Sequence, residues 1–244
     1  METWSGFIDE VNEAVSDFHN KWGETAIAFF RGHGDASWKL LPGVFRGSYR
    51  KYAEECLYYE FRSTAGLLLD SNLNSWDIAF CMQHHGLPTR FLDWTETFAV
   101  ALYFAVAEIK DEAAVWMLDP YLLNREACNI EEILDLDADF QHDYFSYFID
   151  DKPSTATLPG DIVAIYPRRQ NARIQMQKGM FTVHQSNKPL EDLYSSYVRK
   201  FTLSKACIKD ARRFLNLSGI NDFSLFPDLD GLSRHLKKRY LALS

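Results

Sequence analysis

The chain has 244 residues, 47% of them hydrophobic and 15% aromatic, with a formal net charge of −8. That is enough for a sizeable core in one large domain or two small ones. No apolar run approaches the roughly 18–20 residues of a membrane span, and the N-terminus, METWSGFIDEVNEAV, lacks a basic n-region. Neither a membrane segment nor a secretory signal is expected. Cys56, Cys81, Cys128 and Cys207 lie far apart and form no metal-ligand pair, so a reduced, cytoplasmic setting is the default expectation.

Charge is unevenly placed. Residues 151–244 carry 16 Lys and Arg against 8 Asp and Glu, a balance of +8; residues 1–150 carry 10 against 26, a balance of −16. Such a split suits a face that attracts an anion such as a nucleotide or nucleic acid, and it equally suits pairing between the two halves. The acidic half can also recruit a basic partner.

In chain order, Trp4, Ile8, Val11, Val15, Phe18 and Trp22 recur at steps of three and four, which predicts an amphipathic helix over 4–22, ended by Gly23. Thr25–Phe30 reads as a buried strand followed at once by a glycine-rich turn, RGHGD. Trp38–Phe45 reads as extended, interrupted by Pro42-Gly43, and Tyr49–Asp70 as a long helix. Ser75 is the expected N-cap of a helix to about His85. Gly86 and Pro88 break it, TRFLDW is extended, and the apolar run Phe98–Ile109 is a buried helix. Ala114–Leu118 is a short strand, and 121–150 is acidic and aromatic with short helical pieces. Lys152–Gly160 has loop composition and coincides with the charge shift, so it is the candidate boundary. Strands follow at Asp161–Tyr166, after Gly179 and at Val198–Leu203. Ser204 is the expected cap of a helix to about Leu217, and Pro227–Tyr240 is a last amphipathic helix. Five or six short strands outside regular βαβ order favour an α+β class with a short-stranded mixed sheet and several surrounding helices.

Three segments concentrate chemistry. In FFRGHGD, Arg31 near the end of a strand suits bidentate capture of a phosphate or carboxylate, and Gly32 lets a ligand lie against the backbone; a structural ion pair is the plainer alternative. In QHHGLPTRFLDWT, Thr95 can bond a ligand or cap the next helix. Asp93 can orient Arg31 or Arg90, and His85 can serve as an acid–base group or as a core histidine. The His84-His85 pair has no third ligand at fitting spacing, so no metal is expected. In NARIQMQKGMFTVH, period-two alternation would put Arg173, Gln175 and Gln177 on one side of an extended segment. No G-x-S-x-G, H-E-x-x-H or Walker glycine loop is present.

These blocks resemble a family. Phe30-Arg31-Gly32, QHHGLPTRFLDWTETFAVALYFA, RIQMQKGMFTVH and SLFPDLDGLSRHL are similar to the FRG domain family over about residues 26–240, which implies a single domain across the chain. Phe91 departs conservatively from the family's usual Leu, and Glu96-Thr97-Phe98 replaces its usual Ser-Pro. A remoter resemblance is to mono-ADP-ribosyltransferases, in which an aromatic-Arg-Gly unit ends a core strand and the Arg holds the phosphates of NAD. That resemblance implies an ADP-ribosyltransferase-like sheet and NAD as substrate, with no metal. Arg31, Asp93, Thr95, Gln177 and His85 would form the reacting site. Arg31, Gly32, His33, Thr89, Arg90, Trp94, Phe104 and Arg173 would form the binding surface. It further implies a toxin or phage-defence role, a macromolecular acceptor such as RNA or DNA, and a neutralising antitoxin or inhibitor protein. The third segment carries Gln where those enzymes carry a catalytic Glu. A nucleotide-binding or protein-interaction module without catalysis therefore stays open beside the transferase.

Overall fold

The computed structural model describes residues 3–50, 52–70, 72–107, 109, 111–148, 156–168 and 172–241. Seven strands form one sheet: β1 (Phe29–His33), β2 (Phe91–Thr95), β3 (Glu112–Leu118), β4 (Leu134–Asp135), β5 (Ile162–Tyr166), β6 (Gly179–His184) and β7 (Val198–Ser204), in the order β4-β5-β6-β2-β1-β3-β7. Only β4 and β5 pair in parallel; the other pairs are antiparallel. The class is α+β with a mixed sheet, as expected, and strands from both sides of the 152–160 segment share that sheet. Residues 152–155 of the segment lie outside the described residues.

Eleven α-helical segments among the described residues surround the sheet: α1 (Trp4–Trp22), α2 (Gly43–Arg46), α3 (Ala53–Thr64), α4 (Ser75–His84), α5 (Phe98–Ala107), α6 (Pro120–Cys128), α7 (Ala172–Met176), α8 (Leu190–Leu193), α9 (Ile208–Leu217), α10 (Asp222–Leu225) and α11 (Leu229–Tyr240). Alternation along the strands divides the core. One sheet face carries Phe91, Phe181 and Val183 under α3 and α4, and Phe30, Val115 and Phe201 under α1, α5 and α9. The other face carries Phe29, Trp94, Trp116 and Met180.

Several boundaries differ from the sequence reading. β1 starts at Phe29 and runs through His33, because β3 pairs with it across that whole span; Arg31 is inside the strand and the turn follows later. Residues 43–46 form a helical turn after Pro42 rather than extended chain. The helix expected over 49–70 is confined to Ala53–Thr64. Asn74, not Ser75, caps α4, in a capping box with Asp77 that satisfies two backbone donors. Ser204 makes no capping bond, and a 3-10 turn, Lys205–Cys207, leads into α9. Residues 172–176 are helical, so Arg173 and Gln177 share a face one turn apart while Gln175 is exposed.

Candidate functional site

β1 and β2 pair at a single point, Phe30 opposite Thr95. Beyond it the two strands are held together by a side chain. Arg31 Nη1 donates to the Asp93 carbonyl oxygen at 2.5 Å and lies 3.8 Å from the Asp93 carboxylate. Arg31 Nε donates to His33 Nε2 at 3.0 Å. The second terminal nitrogen, Nη2, has no hydrogen-bond partner among the described residues. Burial lowers the Arg31 pKa to about 10, partly offset by Asp93; the guanidinium stays charged at neutral pH. His33 and His184 flank it. Burial first, then the Arg31 charge, pushes each down to about 3, so both are neutral.

Asp93 is the centre of the cleft. Gln83 Nε2 donates to its Oδ2 at 2.8 Å, and its side chain remains 54% exposed. Arg46 and Arg173 both lie within its field. Arg31 is the guanidinium paired with this carboxylate, and Arg46 and Arg173 feel it at longer range, a local surplus of positive charge. Asp93, Trp94, Arg173 and Gln177 line one small cavity with Gln83 and His84; its enclosed volume is about 50 Å³. The register of β2 on β6 brings Thr95 opposite Gly179, which carries Gln177 to the same end of the cleft.

The remaining candidates are placed as follows. The Thr95 hydroxyl donates to the Gln177 carbonyl at 2.7 Å and accepts from the Thr97 N–H at 3.1 Å, at the entry to α5. Its polar capacity is taken up locally. The Gln177 side-chain amide donates to the Leu225 carbonyl at 3.1 Å. Trp94 is buried and donates to the Thr182 hydroxyl at 3.0 Å. Thr89 is fully buried and donates to Gln83 Oε1 at 2.7 Å, so it positions Gln83 behind the cleft. Phe104 meets Phe226 edge-on at 6.2 Å, and Phe226 is stacked between Arg173 and Arg234 at 4.7 and 4.9 Å. Phe226 thus packs behind Arg173, one of the cleft residues.

Three candidates fall elsewhere. A Cβ on Gly32 would stand 1.8 Å from the Ala101 carbonyl oxygen and 2.6 Å from Ala105 N. The glycine is there to let α5 approach β1, so the expected ligand contact on this side gives way to helix packing. Arg90 is bound to Glu54 in a separate buried cluster. His85 is exposed at the end of α4, while its neighbour His84 lines the cavity. Burial, and then the Arg173 charge, lowers the pKa of His84. The signal for Gln83 and His84 was available: Phe80, Gln83 and His84 sit at helical spacing on one face of α4. Arg46 and Phe226 had no local signal.

Residues 26–114 match the family model of the FRG domain. The match holds Arg31, Gln83 and Asp93 and stops short of Arg173, Gln177 and the C-terminal block. Neither a search of curated proteins nor a search of solved structures returns a match. Among the described residues no helix is long and apolar enough to cross a membrane, and no group of three or more His, Cys, Asp or Glu could hold a metal ion.

Proposed function

We propose that the cleft between β1 and β2 binds the diphosphate of NAD and that the protein transfers ADP-ribose to a macromolecule. The observation that carries this reading is Arg31, largely buried between β1 and β2, beside the half-exposed Asp93, whose cavity Arg173 also lines. In the transfer, the nicotinamide–ribose bond breaks and nicotinamide leaves with the bonding electrons. The acceptor then bonds to the ribose carbon and gives up a proton. Asp93 is the carboxylate that can face the cationic ribose and take that proton. The enclosed space of about 50 Å³ holds only a fragment of a dinucleotide, so most of the ligand lies in the open part of the cleft or His84 moves aside. A toxin or phage-defence role, with a neutralising partner, rests on the resemblance of the motifs alone.

A second reading is nucleotide binding without transfer. It is favoured by the Gln177 amide being held by the Leu225 carbonyl where the transferases place a glutamate. Purified protein with labelled NAD and cell extract separates the two: the first reading expects nicotinamide release with label on protein or nucleic acid, the second expects NAD binding alone. Arg31→Ala loses the bonds that tie β1 to β2, so its melting temperature should fall by several degrees, and in the still-folded variant NAD binding should weaken about 10- to 100-fold, the size of a lost charged hydrogen bond. Unchanged NAD binding in that variant would sink both readings.

A further inference from the structure

A second groove opens between α5, α9, α10 and α11, with a volume of about 690 Å³. Small-ligand pockets run to roughly 300–1,000 Å³. Its floor is apolar, from Val106, Leu215 and Ile220, and Arg212, His235, Lys238 and Arg239 stand around it. A neighbouring depression on α9 shares Arg212 and Asn216 and adds Lys209, Arg213 and the one acid, Asp210. Through the two shared residues the depressions adjoin and make up a track. Residues 205–240 carry eight Lys and Arg against four Asp, inside a chain whose net charge is −8. Asp222 neutralises part of this surplus, holding Lys238 at 2.9 Å and Arg234 at 3.9 Å. Lys209, Arg212, Arg213 and Arg239 form no ion pair with any described residue.

We propose that this track binds single-stranded nucleic acid. The cations extend past one pocket's length, which suits a chain of phosphates better than a single nucleotide. The recess with an apolar floor can take an unstacked base, which a duplex does not offer. The track also comes near the cleft: Arg234 lies 3.9 Å from Asp222 and 4.9 Å from the centre of the Phe226 ring, and Arg173, a cleft residue, lies 4.7 Å from that same ring. Strand binding stands by itself; only the further step, that the bound strand is the acceptor of ADP-ribose, rests on the reading above.

The test is fluorescence anisotropy of the whole chain with labelled single-stranded RNA and DNA of about a dozen nucleotides, a matching duplex, and AMP as competitor. Single strands should bind, and binding should weaken at least about 10-fold between roughly 50 and 200 mM salt. Arg212→Glu with Arg239→Glu should weaken it about 10-fold or more, as should the exposed pair Lys209→Glu with Arg213→Glu, while Arg31→Ala leaves it unchanged. RNA and DNA arms report which sugar is preferred. The proposal is overturned by any of three results: no binding by the folded protein at low salt, equal binding by both charge-reversal variants, or AMP or duplex binding as tightly as the single strands. NAD titrations on the same variants should be unaffected, so a failed cleft and a failed track give different results.

Discussion

Arg31 and Arg90 flank the same strand, β2, and each lies beside a carboxylate, yet the two clusters are built in opposite ways. Arg90 is closed. Its Nε donates to Glu54 at 2.8 Å, its backbone N–H to the other Glu54 oxygen at 2.9 Å, and its Nη1 to the Gln185 carbonyl at 2.9 Å. Its guanidinium lies 4.7 Å from the Phe148 ring centroid, and Tyr144 donates to Glu54 at 2.6 Å. Arg31 is open on its carboxylate side: the ion pair is long, 3.8 Å, and Asp93 is half-exposed. Both arginines are largely buried, and both have an Nη2 without a partner among the described residues. The difference lies in the carboxylates: buried Glu54 spends its oxygens on Arg90 and Tyr144, whereas Asp93 keeps one side in solvent, where a ligand can meet it.

The comparison breaks most visibly on the closed side. Glu54→Ala would leave the Arg90 charge without its carboxylate and the Tyr144 hydroxyl without an acceptor. The expected loss is about 3–5 kcal/mol, the size found when one partner of a buried pair is removed. Burial already holds the Glu54 carboxyl above its usual pKa despite Arg90, so the pair is not a free gain in stability. Denaturant unfolding measures the loss. A change under about 1 kcal/mol would put Arg90 among surface pairs and remove the contrast.

Acid sharpens the open side. His33 and His184 have folded-state values near 3 against 6.5 for the free side chain. The unfolded chain therefore binds more protons below that ordinary value. Stability from both groups is complete above about pH 6.5 and falls as pH drops towards 3. At about pH 5 the expected loss is on the order of 2 kcal/mol for each histidine. Thermal melts between pH 7 and 5 report it. The closed cluster contains no histidine, and its one raised carboxyl, Glu54, is linked in the opposite sense, so the stability difference caused by Glu54→Ala should hold or grow, not shrink, from pH 7 to pH 5.

Long periodic segments were legible in the sequence, because burial imposes its own period. The stripe of α1, the apolar run of α5 and the strand of β6 all appear where expected. Short elements were not. α7 has five residues, too few to tell a period of two from one of 3.6, so Arg173 and Gln177 meet by helical spacing and Gln175 does not join them. The limits of β1 are set by its partner β3, which local composition does not contain. In the site, Arg31, Asp93 and Gln177 stood out in the sequence because each is a polar side chain set in or beside an apolar run. Arg46 and Phe226 come near Asp93 and Arg173 only through tertiary folding. Between adjacent residues the sequence reading went either way: Asn74 caps where Ser75 was expected, and His84 lines the cavity where His85 was expected.

The smallest expected change in stability is the most informative about function. Asp93→Asn keeps the shape of the side chain and leaves Arg31 its bond to the backbone carbonyl, which no side-chain substitution removes. The lost ion pair is long and its carboxylate half-exposed, so the fold should change by about 0–1 kcal/mol. Phosphate affinity should hold or rise, because Arg31 loses its internal carboxylate partner and keeps its backbone bond. Transfer should fall by about two orders of magnitude or more, the scale of a general base or a charge-stabilising group. NAD binding that tightens while nicotinamide release collapses would place Asp93 on the reacting side of the site. Equal loss of binding and release would make Asp93 a support for Arg31, leaving the cleft as a binding site without the carboxylate that transfer requires.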